Sequence, residues 1–324
     1  MLKHSSNTTR CALEIERLFH DAGFPVGAFS TIIVPGGEVG KIIGDKRIAA
    51  VTLTGSSDAG KSVASTAGQH LKKSVLELGG SDAFIVLADA DIDAAAKMAA
   101  KARFQNAGQS CIAAKRFIVV DAVYDAFIDG FVQATNAMNV GDPMAMETEI
   151  GPMSRADLRG DLKRQIDETI AMGGRLVAGG KPMPGDNAFY EPTIVADVTP
   201  EMPMFREETF GPAAAVVRAK DEDEAIALAN DSDFGLGGNL WTRDIERAKR
   251  IAGRLESGGV FINGMTASDP RLPFGGTKTS GYGRELSYFG IHEFMNIQTV
   301  WIGPAKTADA PKPREREAVG SAVE

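Results

Sequence analysis

The chain has 324 residues, a length that fits two domains, and its 44% hydrophobic and 24% charged content is that of a globular protein with a sizeable core. A net charge of −8 without a basic stripe argues against nucleic acid and anionic membrane surfaces as partners. No apolar run is long enough to span a bilayer, and Met1-Leu2-Lys3-His4-Ser5-Ser6 lacks the apolar stretch of a signal peptide.

Thr9 to Ala22 reads as an amphipathic helix with Leu13, Ile15, Leu18 and Phe19 as core candidates, ended by Gly23 and Pro25. Phe29 to Val34 reads as a strand, Val39 to Gly44 as a short helix and Ile48 to Leu53 as a buried strand. Thr54-Gly55-Ser56-Ser57 turns into a helix over Ala59 to Leu71, and Ser74 to Leu78 is a strand closed by Gly79-Gly80. Ala83 to Leu87 is a strand, and Ile92 to Asn106 a helix leading into a cysteine loop. Strands are then expected at Arg116–Val120, Arg175–Ala178 and Gly259–Asn263. Helices are expected at Tyr124–Met138, Ala156–Met172, Asp223–Asn230 and Ile245–Arg254. Ile297 to Ile302 reads as a last strand, and the residues from Gly303 on as a disordered, Pro- and Glu-rich tail. Strands alternating with helices predict an α/β fold with a parallel sheet covered on both faces.

Two segments carry chemistry. Gly108-Gln109-Ser110-Cys111 puts a thiol in a tight loop, and Glu77-Leu78-Gly79-Gly80 puts a carboxylate at a strand end. A thiolate attacks an electrophilic carbon and a carboxylate moves a proton to or from water, which is the minimal kit for thioester chemistry on an aldehyde. Taken alone, Cys111 also reads as a buried structural cysteine and Glu77 as a surface glutamate. Gly55 and Ser56 precede a helix whose N-terminal N–H groups suit a pyrophosphate, and Gly36 allows close backbone approach. Cys11, on the first helix, reads as a buried apolar-like residue. Two cysteines make no disulfide framework and fit a reducing, cytoplasmic setting; four scattered histidines give no metal site.

Thr54-Gly55-Ser56, Glu77-Leu78-Gly79-Gly80, Gly108-Gln109-Ser110-Cys111, Glu207-Glu208-Thr209-Phe210-Gly211-Pro212 and the run from Pro273 to Glu285 occur together and in order. With them the chain resembles the aldehyde dehydrogenase superfamily, and within it the bacterial succinate-semialdehyde dehydrogenases. The resemblance runs from Lys3 to Ile302. It implies an aldehyde dehydrogenase-like α/β fold: an incomplete Rossmann-type cofactor domain over 1–78, a catalytic α/β domain over 79–290, an oligomerisation strand over 291–303 and a tail over 304–324. It further implies that the chain lacks an N-terminal segment bearing the first cofactor-domain strands and an asparagine that helps stabilise the oxyanion.

By the same resemblance Cys111 is the nucleophile and Glu77 the general base. Lys3, Ser6, Gly36, Gly55, Ser56, Gly60, Leu78, Gly79, Glu208 and Phe210 bind NAD or NADP. Serine at position 6, where NAD-dependent relatives carry glutamate, admits a 2′-phosphate. Gln105, Ser268, Arg271 and Phe274 are the substrate candidates; Gln105 stands where some relatives place an arginine. Ser6 reads equally as a helix-entry polar residue and Arg271 as a surface residue; the plainer alternatives are a solvated acidic pair for Glu207-Glu208 and packing for Phe274. Lys278, Arg284 and Glu285 are expected to anchor loops, and Asn263 to tie the pocket loop. The implied activity is NAD(P)-dependent oxidation of succinic semialdehyde, or of another short aliphatic or phosphorylated aldehyde, in a homodimer or homotetramer if the fold is completed. The rival expectation is a catalytically inactive fragment.

Overall fold

The computed structural model describes residues 1–185 and 188–304. The chain begins with β1 (Leu2–Lys3), α1 (Thr9–Asp21), β2 (Thr31–Ile32), α2 (Val39–Gly44), β3 (Ala50–Thr54), α3 (Ser57–Gln69) and β4 (Lys73–Glu77). There follow β5 (Asp82–Val86), α4 (Ile92–Phe104), β6 (Ala114–Val120), α5 (Tyr124–Asn136), α6 (Ala156–Ala171), β7 (Arg175–Ala178) and β8 (Thr193–Ala196). The remainder comprises α7 (Pro203–Arg206), β9 (Ala213–Ala219), α8 (Glu222–Asn230), β10 (Phe234–Gly235), β11 (Gly237–Trp241), α9 (Ile245–Ala252), β12 (Gly259–Ile262), β13 (Thr277–Lys278), β14 (Gly281–Tyr282) and α10 (Ser287–Glu293).

The core is a seven-stranded sheet in the order β12-β11-β5-β6-β9-β8-β7, parallel except for β7 against β8. Because side chains alternate along a strand, each strand feeds both faces. Phe84, Phe117 and Val216 join Phe127, Phe131 and Trp241 on one face, under α4 and α5. Ile85, Ile118 and Val217 join Ile166, Phe205 and Ile251 on the other, under the helices from α6 onward. The ring centroids of Phe117 and Phe131 lie 4.7 Å apart. The N-terminal portion is thinner. β3 and β4 pair in parallel, β14 returns antiparallel to β4, and β1 with β2 makes a separate two-stranded sheet.

Several expectations are corrected here. Leu13, Ile15 and Leu18 on α1 are exposed, and only Ala12 of that helix is fully buried. The helix has an apolar stripe but only the short β2 beside it. Cys11 is likewise exposed, not buried. The strand expected over Phe29–Val34 shrinks to Thr31–Ile32, whose only ladder partner among the described residues is the two-residue β1. β3 is half-exposed rather than buried. The strand expected at Ile297–Ile302 does not form. Residues 297–302 have no regular structure and no ladder partner among the described residues, and Ile297, Val300, Trp301 and Ile302 are exposed. The expected tail lies, from residue 305, outside the described residues. Met1–Phe294 forms one compact unit.

Candidate active site

Gly79-Gly80, which follow Glu77 at the carboxyl end of β4, back onto the Cys111 turn at the amino ends of β5 and β6. β4 delivers Glu77 as its last residue, and Gly55 N donates to Glu77 O at 3.0 Å, which sets the turn before α3 beside the carboxylate's own backbone. On the other side β14 pairs Gly281 with Glu77, and Leu78 N donates to Ser280 O at 3.0 Å. The Glu77 side chain is 2% exposed, and neither carboxylate oxygen has a hydrogen-bond partner among the described residues. Burial, followed by the nearby Glu285 charge, pushes its pKa up to about 8, against a smaller opposing pull from Arg284.

Past Glu77 the chain runs through Gly79-Gly80 directly behind the thiol loop. A Cβ on Gly80 would sit 2.5 Å from the Cys111 carbonyl oxygen, so only glycine fits. Gly80 N donates to Glu208 Oε1 at 2.9 Å. Ser280 Oγ donates to Gly79 O at 2.6 Å and accepts from Gly235 N at 3.0 Å, locking the strand end in place.

α4 ends at Phe104, and the loop that follows is bent by three successive left-handed residues, Asn106, Ala107 and Gly108. Two of them are not glycine, an uncommon backbone state that surrounding contacts must hold. Asn106 Nδ2 donates to Gln109 O at 2.9 Å, and Ser154 N to Gln109 Oε1 at 2.7 Å. The wholly buried Arg103 donates to Gly108 O at 2.5 Å and Ala114 O at 2.8 Å. At Gly108 any Cβ would collide with the Gly211 carbonyl, which keys the loop into the Glu207–Pro212 segment. Cys111 is half-buried at the crest. Burial raises its thiol pKa, Lys115 draws it back, Asp82 and Glu208 add to the rise, and the Ile112 N–H opposes it.

The remaining candidates divide. Ser56 caps α3, its Oγ accepting from Ala59 N at 3.3 Å, and with Gly55 it is exposed at the start of that helix. Glu208 borders the Gly79-Gly80 notch, whereas Glu207 turns away to pair with Arg164 and Gln165. Phe210 is partly exposed. Gly60 and Leu78 are buried against each other and pack α3 on β4. Lys3, Ser6 and Gly36 lie at or beside the β1–β2 sheet, exposed, with open space where a Cβ on Gly36 would be. Gln105 lines a groove between α4 and α5 with Lys101 and Gln133. Ser268 is exposed, Arg271 is bound to Asp269 at 2.5 Å, and Phe274 pairs its backbone with Glu285.

The expected anchors do hold loops. Lys278 Nζ donates to Asn230 O and Ser232 O, and Arg284 to Gly276 O and Gly283 O. Asn263 exchanges two hydrogen bonds with Thr242, tying the ends of β11 and β12. Sequence reasoning passed over Arg103, Lys115, Asp82 and Ser280. All four are buried polar residues, and the one visible signal was charge inside an apolar strand run, Ala113-Ala114-Lys115-Arg116-Phe117.

The family model described as aldehyde dehydrogenase family matches residues 1–300. A succinate-semialdehyde dehydrogenase (NADP(+)) of Mycolicibacterium paratuberculosis is 52% identical over 310 residues, covering 96% of this chain and 66% of its own length. A succinate semialdehyde dehydrogenase (NAD(P)+) of Escherichia coli is 53% identical over 301 residues, covering 93% and 65%. The solved structure of succinic semialdehyde dehydrogenase from Streptococcus pyogenes in complex with NADP+ is 42% identical, with a TM-score of 0.90 over 93% of this chain and 66% of that one. The chain thus spans just under two thirds of the length of the curated relatives it matches.

Proposed function

We propose, from the premise that this chain belongs to the aldehyde dehydrogenase family, that its site oxidises succinic semialdehyde to succinate through Cys111. The observation that carries the reading is a buried Glu77 carboxylate, unpartnered among the described residues, three residues before the Gly80 that backs onto the half-buried Cys111 turn. A thiol raised by burial and a carboxylate titrating at about 8, linked through Gly79-Gly80, are taken as a nucleophile–base pair. Glu77 takes the thiol proton. The Cys111 sulfur then bonds to the aldehyde carbon, the carbonyl electron pair moves to oxygen, and a thiohemiacetal forms. The Cys111 backbone N–H is the donor for that oxygen.

Gly55 and Ser56 at the exposed start of α3 fit a pyrophosphate, and Glu208 beside the Gly79-Gly80 notch fits a ribose. NAD+ or NADP+ held there would supply the acceptor for the hydride that leaves the thiohemiacetal carbon, which becomes a thioester. Glu77 gives the thiol proton up to solvent and, as a carboxylate again, takes a proton from water; the water oxygen adds to the thioester, and the thiolate leaves with succinate released. Lys3 and Ser6 are placed on the adenosine side of this reading. The exposed Ser6 presents no carboxylate to repel a 2′-phosphate, in keeping with relatives named for NADP(+). For the distal carboxylate, Arg271 and Ser268 are the donors, with Phe274 at its flank and Asp269 as the counterion that the substrate displaces, while Gln105 faces the separate groove between α4 and α5. The working assembly is a homodimer or homotetramer.

The test is NADPH and NADH formation by the purified chain with succinic semialdehyde, against Cys111→Ala. Turnover that vanishes in the variant supports the reading. Turnover unchanged in the variant removes Cys111 from it, and a folded chain with no turnover overturns the activity.

A further inference from the structure

We propose that Lys115 is a positioning residue for Cys111. Its ammonium, sealed from solvent, pins the nucleophile turn in the shape that presents the thiol and ties that turn to Glu208. The side chain has no exposed area. From β6, its Nζ donates to the carbonyls of Ser110, Cys111 and Ala113, each at 3.0 Å. An ammonium has three N–H donors, so all three end on a single turn. Glu208 Oε1 stands 3.7 Å from the same nitrogen and accepts from Gly80 N, while Gly80 backs onto the Cys111 carbonyl. The contacts therefore close a ring through Cys111 O, Lys115, Glu208 and Gly80.

Arg103 grips the flanks of the turn and Lys115 grips its middle. Burying an ammonium costs free energy, and one carboxylate at 3.7 Å offsets only part of it. Truncating the side chain would leave three inward carbonyls without their donor. What the burial secures is a fixed turn with a positive charge next to the sulfur. The inference rests on the reading of Cys111 as nucleophile, and its test needs no turnover.

In a Cys11→Ser background Cys111 is the one remaining thiol, and its alkylation by iodoacetamide can be followed against pH. Burial lowers the Lys115 ammonium to about 8, so the charge is intact near pH 7, where Lys115→Met is expected to slow alkylation by about tenfold or more and to move the midpoint of the pH profile upward, because a neighbouring cation favours the thiolate. Lys115→Arg should recover part of the rate. An unmoved midpoint with a rate within about twofold of the parent in folded Lys115→Met would overturn the proposal. Should that variant not fold, pulse acetylation of the parent with acetic anhydride still decides. Lys115 is expected to label about 100-fold more slowly than the exposed Lys61, and comparable labelling overturns the claim. A shifted alkylation profile in a chain without turnover would fault the proposed activity and leave the role of Lys115 standing.

Discussion

Glu77 fixes how the site answers to pH. Its carboxyl has an ordinary value of 4.5 and titrates at about 8 in the folded chain, so between those values the folded state keeps a proton that the unfolded state has lost. The stability this group gives is complete below about pH 4.5 and is lost as the pH climbs through 8. Glu77→Gln should therefore leave stability unchanged at pH 4 and raise it at pH 9, by on the order of 2–5 kcal/mol, read from denaturant unfolding at both pH values. A parent chain as stable at pH 9 as at pH 6, unaltered by the substitution, would contradict this. Turnover should rise with pH to a plateau above about 8 and fall at least about 100-fold in Glu77→Gln, as measured by steady-state rates across pH. Gly80→Ala acts on the opposite partner. The added methyl meets the Cys111 carbonyl, so the turn must shift, and Cys111 alkylation should slow while the far-UV spectrum stays that of the parent.

Elements differ in what they cost to disturb. Phe117 stands in the middle of β6 with no exposed area, so Phe117→Ala should destabilise the chain by about 3–5 kcal/mol in urea unfolding. Leu18 on α1 is more than half exposed, and Leu18→Glu should change stability by less than about 0.5 kcal/mol. The same contrast explains what could be read from sequence. Helices α2 and α6 were legible because glycine bounds them, and strands β5 and β6 because Phe84-Ile85-Val86 and Phe117-Ile118-Val119-Val120 are unbroken aromatic and β-branched runs. β9 begins Ala213-Ala214-Ala215 and β11 begins Gly237-Gly238-Asn239, residues with weak strand preference, so both were passed over; neighbours on each side, not propensity, make them strands. The thiol and the carboxylate were legible because each sits in a glycine-bearing motif. Arg103 and Lys115 were not, since what keeps a buried cation there is a set of carbonyls on a turn whose shape the sequence does not display. The stripe on α1 was read correctly as apolar and wrongly as core, because burial depends on what lies opposite a helix.

The molecule as a whole carries much apolar surface. Leu13, Ile15 and Leu18 are bare on α1, as are Tyr288, Phe289 and Ile291 on α10, and residues 295–302 expose a further set. Surfaces of this kind drive association. The purified chain should elute above its 34.3 kDa mass in gel filtration, with the excess growing with concentration, and charged substitutions at positions 13, 15 and 18 should reduce it. A concentration-independent monomer peak would contradict this expectation.

The site is also stitched from distant parts of the chain. Ser74 Oγ lies 2.6 Å from Tyr282 Oη, a contact 208 residues long, and β14 flanks Glu77 on the same edge. At a ribosomal pace of about 5–20 residues per second, roughly 10–40 s separate the emergence of β4 from that of the strand that encloses it. For that interval the nascent chain presents the Glu77 carboxylate to water as an ordinary acid, and the thiol of Cys111 follows it out well before its surroundings are finished. The environment that shifts Glu77 is thus completed only late in synthesis, and a polypeptide stalled before residue 281 would carry the carboxylate and the thiol without it.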